Sequence, residues 1–272
     1  MDNIIDGKRL AQIHQQRLIQ ELGKLNLKPK VVSILVGDDP ASVLYTKIKQ
    51  QKAAEVGIDF SVMKFGEDTP FGDVNLTIVK LNQDPTINGI MVQLPLPQKF
   101  LNGKEVNQLL DTISTQKDID GLRQNSPFLP AAVRAVLAIL EDEQIEVKGK
   151  FSVVVGVSGM VGKPLVEQLK KIGGLVSGCD DQTQNLSEIT KRADILITAT
   201  GVPGLIKAEM VKEGVAVIDI GTSKLENGKI VGDVDFESVA KKASKITPVP
   251  GGVGPMTVIS LMENVAKTVE KN

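Results

Sequence analysis

Tyr45 and Lys49 stand four residues apart in PASVLYTKIKQQKAAE, so a helix would carry both on one face. A tyrosine and a lysine so placed can assist carbonyl chemistry. A lysine moves protons near pH 7 only if part of it is neutral, and burial in a cleft lowers its pKa in that direction. Taken alone, the same pair is common surface decoration. Asp118 and Asp120 in KDIDG are two candidate acids. An extended segment would turn both to one side, and Asp-Gly is equally a surface turn pair. Only Asp120 directly precedes the glycine, which favours it.

The segment FSVVVGVSGMVGKPLVEQLKKIGG reads as a buried strand, a tight turn and a helix. Gly156, Gly159 and Gly162 punctuate the turn, and Pro164 suits the first helical turn. Small residues let the backbone approach a phosphate, and the helix start offers it free N–H groups. The spacing is G-x-S-x-x-x-G, not G-x-G-x-x-G, and a plain strand-to-helix turn would look similar. The next strand ends in Cys179-Asp180-Asp181, where an acid that contacts the adenosine ribose is expected, ~20 residues after the turn. With that context a dinucleotide site is the better reading. A carboxylate there accepts from a ribose diol and repels a 2′-phosphate, which favours NAD over NADP. The other reading leaves both acids facing solvent.

Parallel sheets must present these groups. Short β-branched runs at Val31–Val36, Phe60–Phe65, Gly89–Gln93, Phe151–Val155, Leu175–Cys179, Ile195–Ala199 and Val215–Ile220 alternate with helix-like stretches. That alternation predicts an α/β architecture. Asp39 can cap the helix that carries Tyr45 and Lys49, Pro40 fits its first turn and Gly57 stops it. The domain boundary follows KDIDGLRQNSPF, and a helix at Ala131–Glu141 leads to a new unit at Lys148–Phe151. Residues 1–125 with 255–272 make the expected N-terminal domain, and residues 126–254 a Rossmann-like one. TPVPGGVGPMT (Thr247–Thr257) reads as a Pro/Gly loop. A helix at Val258–Lys271 then returns to the first domain, because an isolated helix of that length is marginal in water.

Composition narrows the function. The 272 residues allow one large domain or two modest ones at about 150 residues each. Lys+Arg 32 against Asp+Glu 33 gives a net charge of −1, which argues against a nucleic-acid partner. The single cysteine, Cys179, excludes a disulfide framework and a thiolate-rich metal site, so no metal is expected. No apolar run approaches the roughly 20 residues that span a bilayer, so no membrane role is expected. The start MDNIIDGKRL lacks the design of a signal peptide, and a cytoplasmic location is the default. The one histidine, His14, falls in an amphipathic helix and is expected at the surface. That weighs against histidine-based hydrolysis and zinc catalysis.

Six segments follow one another along nearly the whole chain: VGDDPASVLYTKIKQQKAAEVGI (Val36–Ile58), GIMVQLPLP (Gly89–Pro97), KDIDG (Lys117–Gly121), GVSGMVGKP (Gly156–Pro164), GDVDF (Gly232–Phe236) and TPVPGGVGPMT. In this order and spacing the sequence resembles the bifunctional methylenetetrahydrofolate dehydrogenase/methenyltetrahydrofolate cyclohydrolase family. GIMVQLPLP and PVPGGVGPMT are its specific parts. The resemblance implies two α/β domains with a folate cleft between them, a homodimer through the cofactor domain, a folate substrate, and NADP or NAD. By position it makes Lys49 the cyclohydrolase lysine and Tyr45 the ring that stacks on the aminobenzoate. It makes Gln93 the amide that tunes Lys49, and Asp120, beside Gly121, the acid that holds the pterin. Leu94 and the closing loop of Pro250, Gly251 and Gly252 complete the folate set. Gly156, Val157, Ser158, Val161, Gly162, Asp180, Asp181 and Thr222 form the dinucleotide set. An amide suits its assigned place, because it bonds a neutral or charged amine without fixing the charge.

The chain departs from the family at three points. Gly156-Val157-Ser158 replaces the common Gly-Arg-Ser, and Cys179-Asp180-Asp181 replaces a frequent Cys-His-Ser. Both changes remove contacts to a 2′-phosphate, and the second adds repulsion. They point to NAD, or to a weakened dehydrogenase. Ala132-Val133 stands where the family has Thr-Pro, a lost helix cap worth about 1 kcal/mol. Two alternatives stay open: a cyclohydrolase whose dehydrogenase has decayed, and a folate-binding protein without turnover. A shikimate-type dehydrogenase would share the architecture but not GIMVQLPLP or PVPGGVGPMT.

Overall fold

The computed structural model describes residues 3–25 and 28–269. Two compact units divide the chain. One holds the chain up to Ile13 together with Ala132–Thr257, the other His14–Ala131 together with the chain from Val258 on.

In the second of these, α1 (Gly7–Leu25), which enters the unit at His14, leads to β1 (Lys30–Val36), α2 (Pro40–Glu55), β2 (Asp59–Phe65), α3 (Phe71–Gln83) and β3 (Gly89–Val92). Two short helices follow, α4 (Gln98–Leu101) and α5 (Val106–Leu110). The three strands form a parallel sheet in the order β2-β1-β3. Central β1 is buried from Val31 to Val36 and is apolar except for Ser33, as the middle strand of a sheet covered on both faces should be. Val32, Ile34 and Val36 pack with Val74, Ile78 and Phe100. Asp39 caps α2 by accepting from Ser42 N at 2.8 Å, and Pro40 occupies its first turn. Gly57 lies just beyond its end at φ 84°.

In the other unit, α6 (Ala131–Asp142) precedes β4 (Phe151–Val155), α7 (Gly162–Lys171), β5 (Leu175–Cys179), α8 (Leu186–Thr190), β6 (Ile195–Thr198) and β7 (Ala216–Asp219). A small hairpin, β8 (Ser223–Lys224) and β9 (Ile230–Val231), leads to α9 (Phe236–Val239), β10 (Lys245–Ile246) and the start of α10 (Val253–Val269), which from Val258 on belongs to the three-stranded unit. The parallel five-stranded sheet runs β10-β7-β6-β4-β5. Its core gathers Val153, Val155, Leu196, Val217 and Ile246. Among the described residues, no helix is long and apolar enough to cross a membrane.

Three expectations need correction. The chain up to Ile13 groups with the five-stranded unit, not with the N-terminal domain of residues 1–125. Ile5 N donates to Ile246 O and Ile246 N to Asn3 O, both at 2.8 Å, so this segment adds itself beside β10. The last helix starts at Val253, inside the expected Pro/Gly loop. Pro255 falls in its first turn, where the missing N–H is no loss. Lys271, the expected end of that helix, lies outside the described residues. His14 is not a plain surface residue: its side chain is 12% exposed, and Nδ1 lies 2.7 Å from Glu263 Oε1.

Candidate active site

Gln93 follows β3, where its N–H donates to Ile34 O of β1 at 2.8 Å and so fixes it at the sheet's carboxyl edge. From there Gln93 Oε1 accepts from Lys49 Nζ of α2 at 2.9 Å. Gln93 Nε2 donates to Leu94 O at 2.6 Å, which settles the amide's orientation. The 117–120 segment runs beside β3, with Ile90 N donating to Lys117 O at 2.7 Å. This brings Asp120 into electrostatic contact with Lys49. Burial lowers the Lys49 pKa, and the Asp120 charge pulls it back only in part. Burial also raises the Asp120 pKa, against the pull of Lys49. The arrangement is a partly desolvated amine bonded to a neutral amide and subject to the charge of an acid, suited to taking up and releasing a proton. Tyr45 stands one turn earlier on α2, 40% exposed.

Asp118 does not share a face with Asp120 on an extended segment. The region is a turn, and Asp118 is buried. Its Oδ2 accepts from Arg123 N at 3.1 Å, and Ser126 hydrogen-bonds it as well. Gly121 is held at φ 69°, where a Cβ would lie 2.6 Å from Leu129 O. Two supports were not anticipated from sequence. Lys117 Nζ donates to Leu81 O, Asn82 O and Asp84 O at 3.0, 2.9 and 2.6 Å, closing the end of α3. Asn264 of α10 donates to Ile119 O at 2.9 Å and Leu129 O at 3.0 Å, bracing the turn on both sides. The signal for Asn264 was one amide within the apolar run VISLMENVAKTV. At the start of α6, Ala131 N donates to Asp120 O at 3.3 Å, a backbone partner where the side-chain cap is missing.

In the five-stranded unit, Gly156 follows β4 at φ 102°, and a Cβ there would overlap Ala199 O. A Cβ on Gly162 would overlap Gly156 O, so the turn between them is a bare-backbone cradle. Val161, at the head of α7, makes no side-chain cap, which leaves the helix's leading N–H groups for an anion. These features fit a dinucleotide pyrophosphate. Gly156 N and Val157 N both donate to Cys179 O, at 2.8 and 3.1 Å, which sets Val157 beside Asp180. Val157 packs toward β5, where a Cβ on Gly178 would meet its Cγ1 at 2.9 Å. Asp180 Oδ1 accepts from Thr183 Oγ1 at 2.8 Å and Gln182 N at 3.1 Å. Ser158, Asp181 and Thr222 are exposed. Pro250, Gly251 and Gly252 lie between β10 and α10, where Gly252 N donates to Pro248 O at 2.9 Å.

Two family descriptions match the chain: the catalytic domain of tetrahydrofolate dehydrogenase/cyclohydrolase over residues 5–120, and its NAD(P)-binding domain over residues 130–272. The chain is 46% identical over 281 aligned residues to "Bifunctional protein FolD" of Hydrogenobaculum sp., covering 99% of each. It is similar to the crystal structure of the bifunctional FolD enzyme of Campylobacter jejuni, with TM-score 0.93, 40% identity and 98% of both chains covered. It is also similar to the Trypanosoma brucei dehydrogenase-cyclohydrolase complexed with NADP and inhibitor. There the TM-score is 0.91 and the identity 30%, over 98% of this chain and 97% of that one.

Proposed function

The chain belongs to the tetrahydrofolate dehydrogenase/cyclohydrolase family, and from that premise we propose which residues carry each of its reactions. It oxidises 5,10-methylenetetrahydrofolate to 5,10-methenyltetrahydrofolate with NAD(P), and hydrolyses that product to 10-formyltetrahydrofolate. A cyclohydrolase with a decayed dehydrogenase and a non-catalytic folate binder are not favoured.

Two nitrogens flank the methylene carbon, and their lone pairs help expel a hydride, so oxidation needs positioning more than an acid or base. When bound, the nicotinamide takes up that hydride. Gly156, Val157, Ser158, Val161 and Gly162 hold the pyrophosphate at the head of α7. Asp180 and Asp181 hold the adenosine ribose, and Thr222 flanks the cofactor after β7. The methenyl product is cationic, and water attacks its bridging carbon. Neutral Lys49 takes one water proton; as the bond from carbon to N5 breaks, N5 receives a proton. The formyl group stays on N10 and one proton leaves to solvent. Tyr45 stacks on the aminobenzoate, Asp120 beside Gly121 holds the pterin, and Pro250, Gly251 and Gly252 close over the folate. The 2.9 Å bond from Lys49 Nζ to Gln93 Oε1 carries this reading, because it joins the amine to a partner without charge.

The same proposal makes NAD the preferred dinucleotide. Val157 offers no donor to a 2′-phosphate, and Asp180 and Asp181 stand beside it as acids. Methylenetetrahydrofolate oxidation run with NAD and NADP in parallel tests this. A higher kcat/KM with NADP overturns the preference, and no turnover with either overturns the dehydrogenase. We also propose a cytoplasmic homodimer. Support for pairing comes from β5 at the sheet edge, with Leu175 61% exposed, and sedimentation tests it.

A further inference from the structure

Two buried carboxylates of the five-stranded unit have no part in this chemistry. Asp219, ending β7, is 3% exposed, and Asp233 is fully buried. Asp219 Oδ1 accepts from Thr198 Oγ1 and Gly221 N at 3.0 Å and from Asp233 N at 3.1 Å. Its Oδ2 accepts from Val234 N at 3.0 Å. Asp233 Oδ2 accepts from Thr200 N at 2.6 Å, while its Oδ1 is buried without a hydrogen-bond partner. Gly221 and Gly232 press on the pair: a Cβ on Gly221 would overlap the Asp233 carboxylate, and one on Gly232 the Asp219 carboxylate. Burial, with the Asp233 charge adding to it, pushes the Asp219 pKa up to about 6.

Neighbouring buried acids are costly, and a well-packed apolar pair would fill the space at less cost. What the carboxylates supply is connection. Asp219 ties the end of β6 to the loop after β7 and to residues 233 and 234, and Asp233 ties in Thr200 after β6. Thr247 Oγ1 accepts from Asp219 N at 2.8 Å, at the head of the chain leading to Pro250. Ligands of open parallel sheets sit beyond the carboxyl ends of the strands, where the strand order reverses. Here that point lies between β4 and β6, where Gly156 backs onto Ala199. The clamped loops border it.

We propose that Asp219 and Asp233 are a positioning pair for the dinucleotide. Their carboxylates lock the loops after β6 and β7 into one crest against which the cofactor is held, without touching the reacting atoms. The inference rests on reading this unit as the dinucleotide-binding one.

Three variants of the full-length enzyme test it. Asp233→Ala frees Thr200 N, whereas Asp233→Asn keeps an acceptor for it. Asp219→Asn sets an amide group against at least one of the donors around that side chain. NAD and NADP binding is measured by calorimetry, beside dehydrogenase KM values, cyclohydrolase kcat/KM and thermal unfolding. Asp233→Ala and Asp219→Asn weaken dinucleotide binding about tenfold and raise its KM in step. Folate KM and cyclohydrolase kcat/KM stay as in the wild type, and Asp233→Asn restores binding to within about twofold. Unchanged dinucleotide affinity in Asp233→Ala and Asp219→Asn overturns the proposal. So does an equal fall of both activities in all three variants. Binding is read apart from turnover, so a wild type that binds dinucleotide but does not oxidise folate sinks the bifunctional reading and leaves the affinities to decide the clamp.

Discussion

Lys49 Nζ lies 2.9 Å from Gln93 Oε1, and the other end of that amide is committed to Leu94 O at 2.6 Å. The amide cannot flip without losing both bonds. Lys49 therefore meets an oxygen that accepts its proton-bearing face and adds no charge. Burial lowers its pKa, and Asp120 is the opposing influence. The sign of several effects follows.

Gln93→Glu puts a carboxylate beside the amine and stabilises its charged form. The Lys49 pKa rises and less neutral amine is present at pH 7. The rising limb of methenyl hydrolysis against pH moves to higher pH, and the rate at pH 7 falls about tenfold for each pH unit of displacement. A profile that stays in place contradicts the tuning role of Gln93.

Asp120→Asn has the opposite sign. Removing its charge takes away the influence that raises the Lys49 pKa, so the limb moves to lower pH. Folate KM rises with the lost pterin contact. Opposite displacements in these two variants separate charge tuning from general damage to the site.

Gly121→Ala forces a side chain to φ 69° and sets its Cβ 2.6 Å from Leu129 O. The left-handed backbone costs about 1–2 kcal/mol, and overpacking adds about 1–3 kcal/mol. Urea unfolding should show a loss of this size, and a loss under about 0.5 kcal/mol would show that the turn adapts freely.

Lys117→Met removes the ammonium that closes the end of α3. Three backbone carbonyls lose a charged donor, and the three-stranded unit loses about 2 kcal/mol. The check is chemical denaturation at pH 7, with hydrogen exchange locating the loss at the end of α3.

Local chemistry made some of this legible. Asp39, Pro40 and Gly57 mark the ends of α2 within the segment itself, and four-residue spacing puts Tyr45 and Lys49 on one face of it. The longer strands were visible as β-branched runs because both larger sheets are parallel and their central strands are buried. Gln93 and Asp120 reach Lys49 only through the sheet, so spacing could not bring them together; the resemblance did. The start of α10 was missed because Pro255 reads as a breaker unless it falls in a first turn. The affiliation of the chain up to Ile13 depends on bonds to Ile246, far away in sequence. In KDIDG only the following glycine favours Asp120, and only the fold shows that Asp118 braces the turn through Arg123 N while the charge of Asp120 acts on Lys49. GDVDF was visible as a motif, but the partner of Asp233 lies in β7.

The most direct test is Lys49→Met, with both activities assayed on one preparation. Removing the amine leaves the dinucleotide unit untouched and takes away the group that accepts the water proton. Hydrolysis of methenyltetrahydrofolate should fall to background, while oxidation of methylenetetrahydrofolate proceeds and the methenyl product accumulates. Hydrolysis at the wild-type rate in that variant would contradict it.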